Sequence, residues 1–305
     1  MDLRALALGL AFALMWSSAF TSARIIVAEA PPLLSLSLRF AISGALGLAC
    51  AWAAGETLRL DRAQWRAVIV FGLCQNALYL GLNFVAMQRV EASLAAIVAS
   101  SLPLLVALAN WVLFSERTRA LGVVGLLAGS AGVLAIMGTR LGGGTDPRAV
   151  GLCVLGVVAL TVATLSVRSA AGGGNILTVV GLQMLVGALA LLPAGLALET
   201  WDVTWSPRLT AAFAYTTVVP GLLATWVWFL LVARIGATPA ATFHFLNPFF
   251  GVVVAWALLG ETLSAVDALG VVVIAGGILA VQLSRARATR RAAPAQRPGA
   301  SGGDI

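Results

Sequence analysis

Apolar residues run through this chain in long blocks, and the polar residues fall in the short gaps between them. A helix needs about 20 apolar residues to cross the hydrocarbon of a bilayer. Ten blocks come close to or exceed that length: 4–27, 32–54, 66–87, 92–114, 119–138, 149–170, 176–198, 210–232, 238–259 and 265–283. The gaps hold Gly, Pro or charges, as in Gly55 to Asp61, Glu116 to Arg119, Gly142 to Arg148 and Gly172 to Asn175. None of them is long enough for a soluble domain. The pattern predicts an all-α integral membrane protein with ten transmembrane helices. The first block follows Arg4 as a secretory signal would, but it outruns a signal's apolar core of about 7–15 residues. Nine more blocks follow it, so it is read as the first helix. The pattern ends at 283. Residues 284–305 carry five arginines together with Pro, Gly and Ser, and they read as a disordered basic tail. Those arginines can meet anionic lipid headgroups.

Composition sharpens this by exclusion. The 305 residues are 60% apolar and 10% charged, where a soluble domain carries about 25% charge. The mean hydropathy of +0.99 fits lipid as the solvent. A net charge of +7 and a pI near 10.9 raise the question of nucleic acid. Every base is an arginine, however, and outside the tail they sit a few at a time between blocks, as topology signals do. No nucleic acid is expected as a partner. With the N-terminus inside, the cytoplasmic side holds Arg4, Arg59, Arg62, Arg66, Arg117, Arg119, Arg168, Arg234 and the five tail arginines, thirteen in all. The other side holds five: Arg24, Arg89, Arg140, Arg148 and Arg208. The arginine bias predicts a multi-pass protein of a bacterial inner (plasma) membrane with both termini cytoplasmic.

Several chemistries drop out. A phosphate loop needs a lysine, and the chain has none. One histidine and three scattered cysteines, Cys50, Cys74 and Cys153, leave no zinc spacing and no disulfide framework. No GxSxG falls inside the apolar blocks, and every Asp lies at a block edge or in a gap. The expectation is a protein that is not an enzyme and carries no cofactor and no metal.

The strongest internal signal is a repeat at a shift of 145 residues. Without a gap, Arg89 meets Arg234, Pro103 meets Pro248, Trp111 meets Trp256, Glu116 meets Glu261, Gly125 meets Gly270 and Gly132 meets Gly277. Helices 3–5 thus recur as helices 8–10. Each half holds five helices, an odd number, so the second half enters from the opposite side. Inverted repeats of this kind are a transporter device, with the substrate site near the midplane where the halves meet.

At these residues the chain resembles the EamA domains of the drug/metabolite transporter superfamily. The resemblance lies in Pro103 to Glu116 and Pro248 to Glu261, each followed by a Gly-rich closing helix, in Trp16 to Phe20, and in Arg39. Position 17 is Ser, where the family more often has Gly after the Trp. The resemblance covers nearly all of 4–283. It implies two five-helix repeats, 4–138 and 149–283, around a central cavity. It also implies a secondary transporter, foremost an exporter of a small polar metabolite by alternating access. Amino acids or amino-acid-derived compounds, metal chelators among them, lead the substrate classes. Drug efflux or uptake stands as an alternative, and a membrane-embedded enzyme or receptor is the rival of another class. The partners are a small-molecule substrate and membrane lipid.

The candidate chemistry sits inside the blocks. Gln75, Asn76, Tyr79 and Asn83 recur at spacings of three and four, which puts them on one helix face. Gln75 and Asn76 lie roughly 15 Å deep by the helical rise. They read either as a cavity wall that hydrogen-bonds substrate or as bonds between helices. Trp16, beside Ser17, Ser18, Thr21 and Ser22, can stack on a substrate. Those hydroxyls, like Thr161, Thr164 and Ser166, are expected to bond back to their own helix. His244 and Asn247 share a face and read as substrate contacts or as a bond to a neighbouring helix. Arg39 lies about 10 Å inside its helix, either as a structural anchor or as an anion contact. Pro103, Pro220 and Pro248 are predicted to kink their helices and free the carbonyls of Ala99, Thr216 and His244. Glu116 and Glu261 end helices 4 and 9, where a carboxylate opposes the helix dipole and needs a compensating partner. The Gly-rich runs from Gly122 and Gly270 have the spacing of close-packed membrane helices.

Overall fold

A computed structural model of the chain describes residues 3–114, 120–166, 175–235 and 242–292, and these are helical with short connections. Two helices open the chain unbroken, α1 (Leu3–Glu29) and α2 (Pro32–Ala53). The third, α3 (Arg62–Ala86), winds as a π-helix over Gly72–Leu80. α4 comes in two pieces, Ala92–Ala99 and Leu102–Phe114. α5 (Ala120–Gly142), α6 (Pro147–Ser166) and α7 (Ile176–Leu198) follow. α8 runs Pro207–Val218, passes through a π segment Val219–Leu223 and continues as Ala224–Ile235. α9 begins as a 3-10 turn Thr242–Leu246 and becomes α-helical at Asn247–Leu259, and α10 is Ala265–Ala292. Eight of these helices are long and apolar enough to cross a membrane, and Asn247–Leu259 and Ala265–Val281 are shorter apolar helices. Residues such as Leu196, Leu269 and Val272 stand exposed on the outer faces, as lipid-facing side chains do.

The blocks 92–114 and 238–259 are not continuous α-helices. Ser100 and Ser101 close the first piece of α4 by bonding back to Ala96 O and Val98 O, each at 2.7 Å. Pro103 and Pro248 then each take the second residue of a fresh α-helix. In the first turn a missing N–H has no partner to lose, so these prolines start helices instead of kinking them. Pro220 alone of the three falls inside an otherwise continuous helix, in the π segment of α8. α10 also runs on past 283 to Ala292, where a tail was expected, through an Ala- and Arg-rich stretch of good helix formers.

Two antiparallel pairs hold the bundle. α2 and α7 cap one another. Glu199, after α7, accepts the Leu33 and Leu34 N–H groups at the start of α2 at 2.9–3.1 Å. Glu56, after α2, accepts those of Leu177 and Thr178 at 3.2 and 2.8 Å. α5 and α10 meet through glycines. A Cβ on Gly125 would stand 2.6 Å from Gly277 O, and one on Gly277 would stand 2.6 Å from Gly125 O. Gly132 and Gly270 face each other further along. Apolar helices gain little by hiding from lipid that is equally apolar, so close van der Waals approach carries the packing.

Glu261 finds its partner across the bundle. It accepts from Ala92 N at 2.7 Å and Ser93 N at 3.0 Å, setting its charge on the positive end of α4. Nearby, Arg140 at the end of α5 bridges Glu91 and the buried Asp267 of α10, the latter at 2.7 Å. Glu116, Arg117, Arg119, Arg168 and the tail beyond 292 lie outside the described residues, as does the side chain of Ser166.

Candidate substrate cavity

α1, α2, α3 and α8 enclose a cavity of about 60 Å³. α1 contributes Trp16, Phe20 and Ala23, and α2 contributes Arg39. α3 contributes Gln75, Tyr79, Asn83 and Phe84, Met87 follows at its end, and α8 contributes Thr216 and Pro220. Ligand pockets run to roughly 300 Å³ or more, so the helices must part to admit a metabolite. A larger depression of about 440 Å³ lies at the helix ends, lined by Glu29, Pro31, Glu199 and Thr204. Its two glutamates are engaged, Glu199 with the start of α2 and Glu29 with the Ser206 hydroxyl.

The π segment decides what α3 shows the cavity. In a regular α-helix, positions four apart drift by about 40° per step. The wider turns of Gly72–Leu80 offset that drift. Gln75, Tyr79, Asn83 and Met87, each four apart, therefore all reach the cavity. Asn76 does not. It is 2% exposed and faces α7, where its Nδ2 donates to Gln183 O at 2.9 Å. Gly187 makes room for it, since a Cβ there would lie 2.5 Å from the Asn76 Cβ. Asn76 directly follows Gln75, and a single helical step turns the two side chains onto different faces.

The polar groups of the cavity are incompletely satisfied within the protein. Asn83 is 1% exposed; its Nδ2 donates to Tyr79 O at 2.8 Å, and its Oδ1 is buried without a partner. Arg39 is 6% exposed, so it does not snorkel to the surface, and its Nε lacks an acceptor. No carboxylate among the described residues pairs with it. Its guanidinium lies 5.0 Å from the Phe40 ring centroid, and its Nη2 is 3.7 Å from where a Gly221 Cβ would be.

His244 and Asn247 stand apart from this cavity. His244 falls in the 3-10 turn that opens α9, and its ring packs against Phe12 and Trp228, each at 5.2 Å between centroids. Its Nδ1 and Asn247 Nδ2 are 3.0 Å apart, while the Asn247 Oδ1 is buried without a partner. Phe12 in turn lies 5.8 Å from Trp16, which makes this aromatic cluster a neighbour of the cavity wall. The hydroxyls follow the expectation only in part: Ser18 bonds Met15 O and the Tyr215 hydroxyl, Ser22 bonds Ser18 O, and Thr161 and Thr164 bond Val157 O and Leu160 O, whereas the Ser17 and Thr21 hydroxyls are buried without a partner.

Phe20, Phe84 and Met87 line the cavity without having been candidates, and so does Thr216, named only for its carbonyl. Their signal was the spacing of four: Phe20 after Trp16, Met87 after Asn83, Thr216 before Pro220.

The chain matches the profile of the EamA-like transporter family over residues 3–138 and again over 147–283. It is 31% identical over 281 residues to the uncharacterized inner membrane transporter YedA of Escherichia coli (strain K12), covering 88% of each chain. It is 35% identical over 136 residues to the aromatic amino acid exporter YddG of Ancylobacter novellus, covering 45% of this chain and 47% of that one. A solved crystal structure, 24% identical, superposes with a TM-score of 0.66 over 92% of this chain and 98% of its own, a likeness of fold.

Proposed function

The chain belongs to the EamA-like transporter family, and on that premise we propose that it is a secondary exporter of a small polar metabolite, an amino acid or an amino-acid-derived compound. It is a multi-pass membrane transporter with two EamA repeats. The observation that carries the finer reading is the cavity: helices of both repeats wall it, and Arg39 and Asn83 keep unpartnered polar atoms there. Buried polar groups without partners are rare and costly. A polar substrate passing through the cavity supplies what they lack.

In this reading α9 and α10 complete ten spans, and repeats 4–138 and 149–283 run in opposite directions across the membrane. The antiparallel pairs support that arrangement. Gly125 touches Gly277 while Gly132 touches Gly270, and the shift of 145 exchanges those two contacts. Such exchange symmetry is what lets two halves trade conformations and open the site to each side in turn. The arginine bias supports both termini in the cytoplasm. YedA is named as an inner membrane transporter and YddG as an amino acid exporter, which support the location and the direction. Trp16, Gln75, Tyr79 and Asn83 contact the substrate.

The test is a comparison of intracellular and extracellular metabolites in a deletion strain and its complemented parent. One amino acid or derivative should accumulate inside the deletion strain and return to the medium on complementation. Equal profiles in both strains would sink the exporter reading.

A further inference from the structure

Arg39 and Asn83 sit on the same cavity with opposite needs. One is a buried guanidinium with an N–H that lacks an acceptor, and the other is a buried amide oxygen that lacks a donor. A charge inside a spanning helix is expensive and is normally paired. Two carboxylates at the start of α2, Glu29 and Glu199, are bound to Ser206 and to the Leu33 and Leu34 N–H groups. Arg39 therefore has no acid of its own among the described residues. Around the two polar groups the wall is aromatic, with Trp16, Phe20 and Phe84.

Resting on the exporter reading above, we infer that Arg39 and Asn83 form a clamp for a free α-amino acid with an apolar or aromatic side chain. The guanidinium holds the substrate carboxylate, with planar N–H groups that match its two oxygens. The Asn83 Oδ1 accepts a hydrogen bond from the substrate ammonium. The aromatic wall takes the side chain. Binding thus completes both unfinished hydrogen-bond sets at once, and a compound without the carboxylate leaves the guanidinium bare.

The experiment uses the full-length protein reconstituted in liposomes. They are loaded with an equimolar mixture of apolar and aromatic amino acids and the corresponding carboxamides, and release is followed by mass spectrometry. The wild type should release at least one free acid about tenfold faster than its amide, in line with the cost of leaving a buried polar partner unpaired. In Arg39→Gln the acid-to-amide ratio should fall toward one, and Arg39→Lys should recover part of it. Asn83→Leu should slow release of the acid without erasing the ratio, because it acts on the other end of the substrate. Equal release of acid and amide by the wild type overturns the clamp, as does an Arg39→Gln protein that keeps the ratio. If Arg39→Gln does not run as a single species on gel filtration, the wild-type ratio alone decides. If none of these probes moves but the deletion strain still retains a specific compound, the clamp falls and the exporter reading stands. A phosphate-bearing compound in that role moves Arg39 to another oxyanion and overturns the carboxylate assignment. If neither assay shows movement, the exporter reading falls first.

Discussion

The pair α3 and α8 and the pair α4 and α9 are all interrupted helices, and the two interruptions do opposite things. Shifted by 145, the π segment Gly72–Leu80 overlaps Val219–Leu223, and the Ser100–Ser101 break falls within Thr242–Leu246. Both repeats therefore break at matching places. In α4 the helix stops at Ser100–Ser101 and a new one starts at Leu102, in α9 a 3-10 turn gives way to an α-helix at Asn247, and no described residue of either helix lines the cavity. In α3 and α8 the helix stays continuous and only its winding widens, and both helices line the cavity. A stop redirects a chain. A π segment re-aims side chains while keeping the rod intact, which is why such segments gather at functional sites.

Deleting Leu78, a half-exposed residue of the α3 π segment, should break that comparison most sharply. One residue fewer lets Gly72–Leu80 wind as α-helix and rotates Asn83 and Met87 by about 100° relative to Gln75. Transport should fall by about tenfold or more, as misplacement of a binding group does, while circular dichroism keeps its helical signal. Transport at wild-type rate would show that the π winding plays no part in the site.

The next effect separates two neighbours on that segment. Tyr79→Ala should cut transport several-fold at near-normal protein level, because Tyr79 faces the cavity. Asn76→Leu should lower protein level and transport together, because it breaks the bond to Gln183 O, a contact worth about 1 kcal/mol in membranes. Blotting membranes beside the transport assay reads both. A Tyr79→Ala variant whose abundance falls in step with transport would make it another packing residue.

Prolines offer a smaller contrast. Pro220→Ala should reduce transport by changing the winding of α8 at the cavity wall, whereas Pro103→Ala and Pro248→Ala should change it little. At a helix start the proline contributes mainly pre-set backbone geometry, so thermal stability in detergent should shift by a few degrees at most. Three equal effects would erase the distinction between stopped and widened helices.

Smallest of all should be His244→Ala. The ring belongs to the Phe12 and Trp228 cluster and bonds Asn247. Its loss should lower stability slightly and leave the specificity of export unchanged. A substrate-dependent loss would place the aromatic cluster on the transport path.

Much of this molecule is written along the chain. Block length sets the helices, because the hydrocarbon thickness demands a minimum apolar run. The recurrence of Pro, Trp, Glu and Gly at one shift marks the two repeats, because both halves use the same contacts, as Gly125 with Gly277 illustrates. Trp16, Gln75, Tyr79 and Asn83 could be picked out because polar or amphipathic groups deep in apolar helices need a reason to be there, and they do meet at one cavity. The tertiary structure alone decided the rest. Asn76 and Gln75 are adjacent amides, and only the π winding and the gap at Gly187 send one to α7 and the other to the cavity. His244 was set among rings by the position of α1 and α8, which no local pattern encodes. Glu261 needed a partner that lies 169 residues away at Ala92, brought near by the packing of the two repeats. Arg39 was visible as a charge in a helix; that its Nε ends buried without an acceptor depends on every helix packed around it. Apolar periodicity is a property of one helix at a time, while the facing of a polar group is a property of its neighbours, and that is where the sequence yields to the fold.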